Sequence, residues 1–105
     1  MLRDNQRNEA YRRAIAHAVK PGDVVLDMGA GTGILSIFAA MAGARRVYAV
    51  ERTEIADVAR QLIESNGHSA CIQVLQSDLE EVTLPEQVDV IVSEWMGGFG
   101  VDENM

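Results

Sequence analysis

The sequence predicts an α/β protein with a Rossmann-like, doubly wound parallel sheet. Three observations carry that prediction. Short apolar runs rich in β-branched residues alternate with segments of helical period, the pattern of βαβ units. The first run, Val24-Val25-Leu26-Asp27-Met28, breaks directly into Gly29-Ala30-Gly31-Thr32-Gly33, a turn that opens the next helical segment. Such a strand, bare turn and helix N-terminus allow a ligand close to the backbone, since glycine has no Cβ to hold it away. Finally, the residues closing the four runs are Asp27, Gly29, Glu51, Ser77, Asp78 and Glu94, of which four are acids. A purely structural sheet would place caps and turns there. Right-handed crossovers give the strand order 3-2-1-4, truncated after strand 4, and ligands of such sheets lie outside the carboxyl ends of the strands.

The elements follow in order. Residues 2–20 read as a helix, with Ala10, Ala14, Ile15, Ala18 and Val19 at helical spacing among arginines, and Pro21-Gly22 ends it. Strand 1 covers 24–28. A helix over 33–42 carries Leu35, Phe38, Ala39 and Met41 and stops at Gly43, a C-terminal glycine stop. Strand 2 covers 47–50 and ends at Glu51. Thr53 is placed to cap a third helix that runs to about Ser65 and closes at Asn66-Gly67. Strand 3 covers 71–75. Residues 77–85 are a connection with at most one helical turn over 79–82, and strand 4 covers 88–92. The glycine-bearing stretch 93–105 has no clear period and reads as a loop. Strand 4 is as apolar as a central strand, yet nothing is expected to cover its far edge. Such an edge invites aggregation, so either a partner subunit, for instance in a homodimer, covers it or the chain is part of something longer.

Composition narrows the function classes. The chain has 105 residues, 48% hydrophobic and 24% charged, which suits one folded domain. Its formal net charge of −7 argues against a nucleic-acid binder, which needs basic patches, and is compatible with a cationic ligand or a basic peptide. Cys71 is the only cysteine, so no intrachain disulfide is expected, and a reducing, cytoplasmic setting follows. No apolar run reaches the roughly 20 residues that span a bilayer, so no membrane partner is expected. His17, His68 and Cys71 lack the spacing of a metal set, and no metal is expected. Trp95, Phe99 and the methionines read as packing residues.

The acids suggest the ligand. Glu51 stands eighteen residues after Gly33, at the end of strand 2. A carboxylate there can accept the hydroxyls of an unmodified ribose, or act as a solvated acid at a helix start. Asp27 can fix the turn or face an ammonium group. Asp78 and Glu80 follow strand 3, near where an adenine would lie. Arg7 can reach a ligand carboxylate or remain a solvated helix charge. The spacing is G-x-G-x-G, not the G-x-G-x-x-G of dinucleotide sites. A pyrophosphate would be repelled by so many acids, whereas a ligand carrying a sulfonium and an ammonium would not. These features favour S-adenosyl-L-methionine over NAD.

The stretch 25–36 resembles motif I of class I methyltransferases, and Tyr48-Ala49-Val50-Glu51 resembles the acidic motif that follows it. The stretch 84–97, with Ser93-Glu94-Trp95-Met96-Gly97, is similar to the protein arginine methyltransferases, including the first half of their double-glutamate hairpin. The family's second glutamate follows nine positions later, which falls on Glu103. Met1-Leu2-Arg3-Asp4, with Arg7 and Tyr11, resembles the family's helix below the cofactor. The resemblance implies that Arg7 meets the cofactor carboxylate, and that Gly29, Gly31 and Gly33 form the cofactor loop. It further implies that Glu51 binds the ribose, that Leu79 (through its backbone) and Glu80 contact the adenine, and that Glu94 and Glu103 grip a guanidinium. Such a group is planar, permanently charged and matched to carboxylates. The implied reaction is methyl transfer to a protein arginine or a related acceptor. Gly98 and Asp102 stand where the family hairpin carries aromatic residues. The chain is expected to be the N-terminal cofactor-binding portion of such an enzyme, without its later strands and β-barrel, and turnover to need those parts. The alternative from another class is a non-catalytic remnant that binds a partner through the open strand-4 edge.

Overall fold

At the centre of the structure, a computed structural model, lies β1 (Val24–Met28), buried along its first four residues. Residues 5–31, 33–78, 83–95 and 98–103 are described; the side chains of 5–8, 94, 95 and 98–103 are outside that description. The expectations for Met1 to Asp4, Thr32, Leu79, Glu80 and the helical turn over 79–82 fall outside the described residues. β2 (Arg46–Val50) runs parallel to β1, with Val24 opposite Arg46 and Met28 opposite Val50. β3 (Ile72–Leu75) continues the sheet beyond β2, with Val50 opposite Leu75. On the other side β4 (Val90–Trp95) pairs parallel with β1, Val25 opposite Val90 and Met28 opposite Ser93. The order of these four is the expected 3-2-1-4.

A fifth strand corrects two expectations. β5 (Gly98–Glu103) pairs antiparallel with β4, from Trp95 opposite Gly98 to Val90 opposite Glu103. Within the stretch read as a loop, residues 93–95 therefore belong to β4 and residues 98–103 form a strand, and the edge of β4 read as open is occupied. The physical reason is backbone demand. A strand in mid-sheet presents a full row of N–H and C=O groups on each side, and the antiparallel β5 satisfies the row that faces away from β1. Glycines at 98 and 100 dilute the alternation that would have marked a strand in the sequence. β4 also begins two residues later than expected. Asp89 makes the link to β1 before the strand starts, its N–H donating to the Val24 carbonyl at 2.8 Å and its carboxylate accepting the Val24 N–H at 2.9 Å.

Three helices cover one face of the sheet. α1 (Asn5–Ala18) buries Tyr11, Ile15 and Ala18 and presents Glu9, paired with Arg12 and Arg13, to solvent. α2 (Ile34–Met41) buries Leu35, Ser36, Ile37 and Ala39. It ends in a Schellman motif: Ala44 N–H donates to Ala39 O and Gly43 N–H to Ala40 O. α3 (Ile55–Ser65) buries Ala56, Ala59 and Ile63, and its first turn takes a hydrogen bond from Ile55 N–H to Thr53 Oγ1 at 3.2 Å. Of these, Tyr11, Ile15, Leu35, Ile37, Ala39, Ala59 and Ile63 form one core with Val25, Val47, Ala49, Ile72, Val90 and Val92. Both crossovers, β1 to β2 and β2 to β3, step the same way, so right-handedness puts α2 and α3 on the same side.

The described residues that lead into β4 lie over the opposite face, as a doubly wound sheet requires. There Leu84 and Val88 pack on Val24, Leu26, Tyr48 and Val50. Glu86 fastens this connection, accepting the Tyr48 hydroxyl at 2.6 Å and Arg45 at 2.5 Å. Among the described residues no helix is long and apolar enough to cross a membrane.

Candidate functional site

The carboxyl ends of β1, β2 and β3 converge on an open cavity of about 190 Å³, lined by Gly29, Val50, Glu51, Arg52 and Ser77. Gly29, the first residue of the glycine turn, is part of this lining. Gly29 and Gly31 have φ +67° and +56°, a region that disfavours any side chain, and a Cβ on either would meet nothing within 4 Å. These two positions therefore face open space. Gly33 serves another purpose. A Cβ there would come within 3.2 Å of Ile63 Cδ1, so its bareness lets the start of α2 lie against α3.

The turn is knitted to its surroundings through its own amides. Ala30 N–H donates to Val50 O at 2.8 Å, Gly31 N–H to Glu51 Oε1 at 2.8 Å, and Gly33 N–H to Ala30 O at 2.9 Å. A pyrophosphate would need those donors for itself. With all three engaged, the loop suits a ligand held by shape and by acceptors, in line with the preference for an adenosyl sulfonium over a dinucleotide.

Glu51 is the chemical centre. It is 9% exposed and follows β2 directly. Burial by itself would raise its pKa. Hydrogen bonds from the Thr53 hydroxyl at 2.5 Å, the Gly31 N–H and the Thr53 N–H at 3.1 Å, together with the charge of Arg52, outweigh burial and hold it below the usual carboxylate range. It is thus ionised at neutral pH. A carboxylate offers about four lone-pair sites. Three are filled, so one ribose hydroxyl can bind without displacing Thr53, whereas accepting two hydroxyls requires the Thr53 hydroxyl to turn away. The residues present thus fit an adenosyl group: space above bare backbone, and an ionised acceptor at its rim.

Asp27 sits beneath the turn and does not line the cavity. It is 1% exposed and accepts the Ser36 hydroxyl at 2.6 Å. This bond ties the end of β1 to the first turn of α2. Arg7 lies within α1, with its side chain outside the described residues, and Leu79 and Glu80 lie outside them altogether. Asp78 is exposed after β3, its backbone carbonyl accepting the Ser77 hydroxyl at 3.1 Å.

The two glutamates expected to act together are set apart by the sheet register. Glu94 follows Ser93, the partner of Met28, and so stands level with Gly29 at the ligand end of the sheet. Glu103 lies opposite Val90, four residues back along β4, roughly 13 Å at the rise of a strand. In this pairing the backbone brings Glu94 to the site and not Glu103. Arg52 and Ser77 line the cavity without having been assigned a role from the sequence. The one signal in the sequence for Arg52 is its place immediately after Glu51. Among the described residues no cluster of three or more metal-ligating side chains occurs.

Comparison with known proteins converges on one family. A family model described as ribosomal protein L11 methyltransferase (PrmA) matches residues 12–97. The protein arginine N-methyltransferase PRMT10 of Oryza sativa subsp. japonica is 51% identical over the whole of this chain, which corresponds to 28% of that protein. The crystal structure of Arabidopsis thaliana protein arginine methyltransferase 10 superposes with a TM-score of 0.82 at 48% identity, over 91% of this chain and 28% of that one. A Trypanosoma brucei PRMT1 enzyme–prozyme complex with AdoHcy gives a TM-score of 0.82 at 47% identity, over 91% of this chain and 31% of that one. The chain spans under a third of the length of these relatives. Sheet order, glycine turn, buried ribose-type acid and sequence agreement together establish that the chain belongs to the class I S-adenosylmethionine-dependent methyltransferases and is protein arginine methyltransferase-like.

Proposed function

We propose that this chain is the cofactor-binding portion of an S-adenosylmethionine-dependent methyltransferase that acts on a protein arginine side chain. The observation that carries the reading is the ionised, buried Glu51, bound to the Gly31 N–H on the wall of a cavity that the bare Gly29 also lines. The bound cofactor would supply a methyl group on a sulfonium. The chain's own residues do the rest. Gly29 and Gly31 leave room for the nucleoside, Glu51 accepts from its ribose, and Asp27 and Ser36 hold the turn in place. Glu94, at the same sheet end, serves as a carboxylate that orients an incoming guanidinium and draws its positive charge away from the attacking nitrogen. No covalent enzyme intermediate is required, and the acceleration comes from positioning and preorganised charge. Glu103 can join Glu94 only if the β4–β5 pairing opens.

Calorimetry with S-adenosylhomocysteine tests the cofactor half. Wild-type chain binds, and Glu51→Ala weakens binding about tenfold or more, the loss of a charge-assisted hydrogen bond. A folded chain with no measurable binding overturns the reading. The acceptor half is tested with an arginine peptide in the presence of S-adenosylhomocysteine. Glu94→Gln loses peptide binding while its affinity for S-adenosylhomocysteine stays within about twofold. Equal peptide binding by variant and wild type rejects the role given to Glu94.

The non-catalytic alternative relied on an open strand-4 edge. β5 takes that edge, so no observation favours this second reading.

A further inference from the structure

Among the described residues lining the cavity, Arg52 is the only cation. It follows Glu51 directly and is exposed, and within the described residues no carboxylate lies in ion-pair distance of its guanidinium. Two neighbouring residues on one wall thus ask different things of a ligand. Glu51, ionised and nine-tenths buried, asks for hydroxyls. Arg52 offers a planar cation, which prefers either an anion or the flat face of a π system. An anion on the sugar is disfavoured, because a 2′-phosphate would stand against the ionised Glu51 carboxylate. The feature of a nucleoside that remains beside the ribose is the face of its base.

We propose that Arg52 is a specificity-determining residue of this site, with its guanidinium laid over the purine ring of the adenosyl ligand whose ribose Glu51 holds. The inference rests on the cofactor reading above and adds a contact that the glycine turn and Glu51 do not supply. An exposed cation–π contact carries a modest gain, so removing it lowers affinity about two- to fivefold and not more.

Titration calorimetry with two ligands tests it. S-adenosylhomocysteine carries both the nucleoside and the amino-acid arm, while 5′-methylthioadenosine carries the nucleoside alone. Arg52→Ala is expected to weaken both by the same factor, about two- to fivefold, and Arg52→Lys to recover part of the loss for both. Weakening of S-adenosylhomocysteine alone overturns the inference, because Arg52 would then hold the amino-acid carboxylate. Unchanged binding of both ligands by Arg52→Ala, with Glu51→Ala impaired, overturns it while leaving the cofactor reading intact. A wild-type chain that binds neither ligand removes the cofactor reading and this inference with it.

Discussion

Glu51 joins the glycine turn, twenty residues earlier, to the start of α3 that follows it. One oxygen takes the amide of the glycine turn, and the other takes the hydroxyl and amide of Thr53, whose oxygen in turn receives the first amide of α3. The carboxylate is therefore a tie as well as a ligand site, and its protonation should be felt in stability. Its folded pKa lies below the unfolded value, despite the opposing effect of burial. The ionised form thus contributes stability that is fully present above the unfolded value of about 4.3 and is lost as pH falls through the folded one. Thermal melts of wild type and Glu51→Gln across pH are expected to show the wild type more stable at pH 7. The gap between them should close progressively below about pH 4.3. A gap that stays constant into strong acid would mean that the charge on Glu51 does not support the fold.

At the level of elements, the approach of α2 to α3 is set by a missing side chain. Gly33 adopts φ +91° and has Ile63 Cδ1 3.2 Å from where a Cβ would stand. Gly33→Ala therefore incurs two separate penalties. The left-handed backbone costs about 1–2 kcal/mol, and the contact adds a steric part. Ile63→Val, which alone costs about 0.5–1.5 kcal/mol, removes the offending methyl. In chemical denaturation the double variant should thus be less destabilised than the sum of the two single ones, while the backbone part persists. Strict additivity would mean that the contact is relieved some other way. The element boundaries also explain what the sequence could and could not convey. β1 and the turn were legible because an apolar β-branched run ending in glycines has few other uses. The order of β1 to β4 followed from handedness alone. The start of β4 was misplaced because the Asp89 side chain does work normally done by strand backbone, which no hydropathy pattern records. β5 was missed because Gly98 and Gly100 hide its alternation. In the site, Glu51 was legible from its distance to the turn. Arg52 was not, because only folded geometry decides which loop side chain borders a cavity.

For the molecule as a whole, the decisive feature is how the sheet ends. On one side it finishes in β3, a strand of four residues, short enough to be a poor template for another chain. On the other side β5 covers β4 along six residue pairs and converts an apolar central-type strand into an interior one. If that cover matters, lifting it should turn the chain toward self-association. Successive amides in a strand point to opposite sides, so prolines at both Val101 and Asp102 are certain to remove one donor from the β4–β5 ladder. The double variant Val101→Pro/Asp102→Pro is expected to lose amide-exchange protection in 90–95 and, in size-exclusion chromatography at rising concentration, to shift to larger species than the wild type. Among the described residues no hydrogen bond joins the helices to β5, so the helical face should keep its protection. That contrast separates a lost edge cover from general unfolding. A variant that elutes unchanged and keeps protection across β4 would mean that β5 is dispensable and that the sheet tolerates β4 as its natural margin.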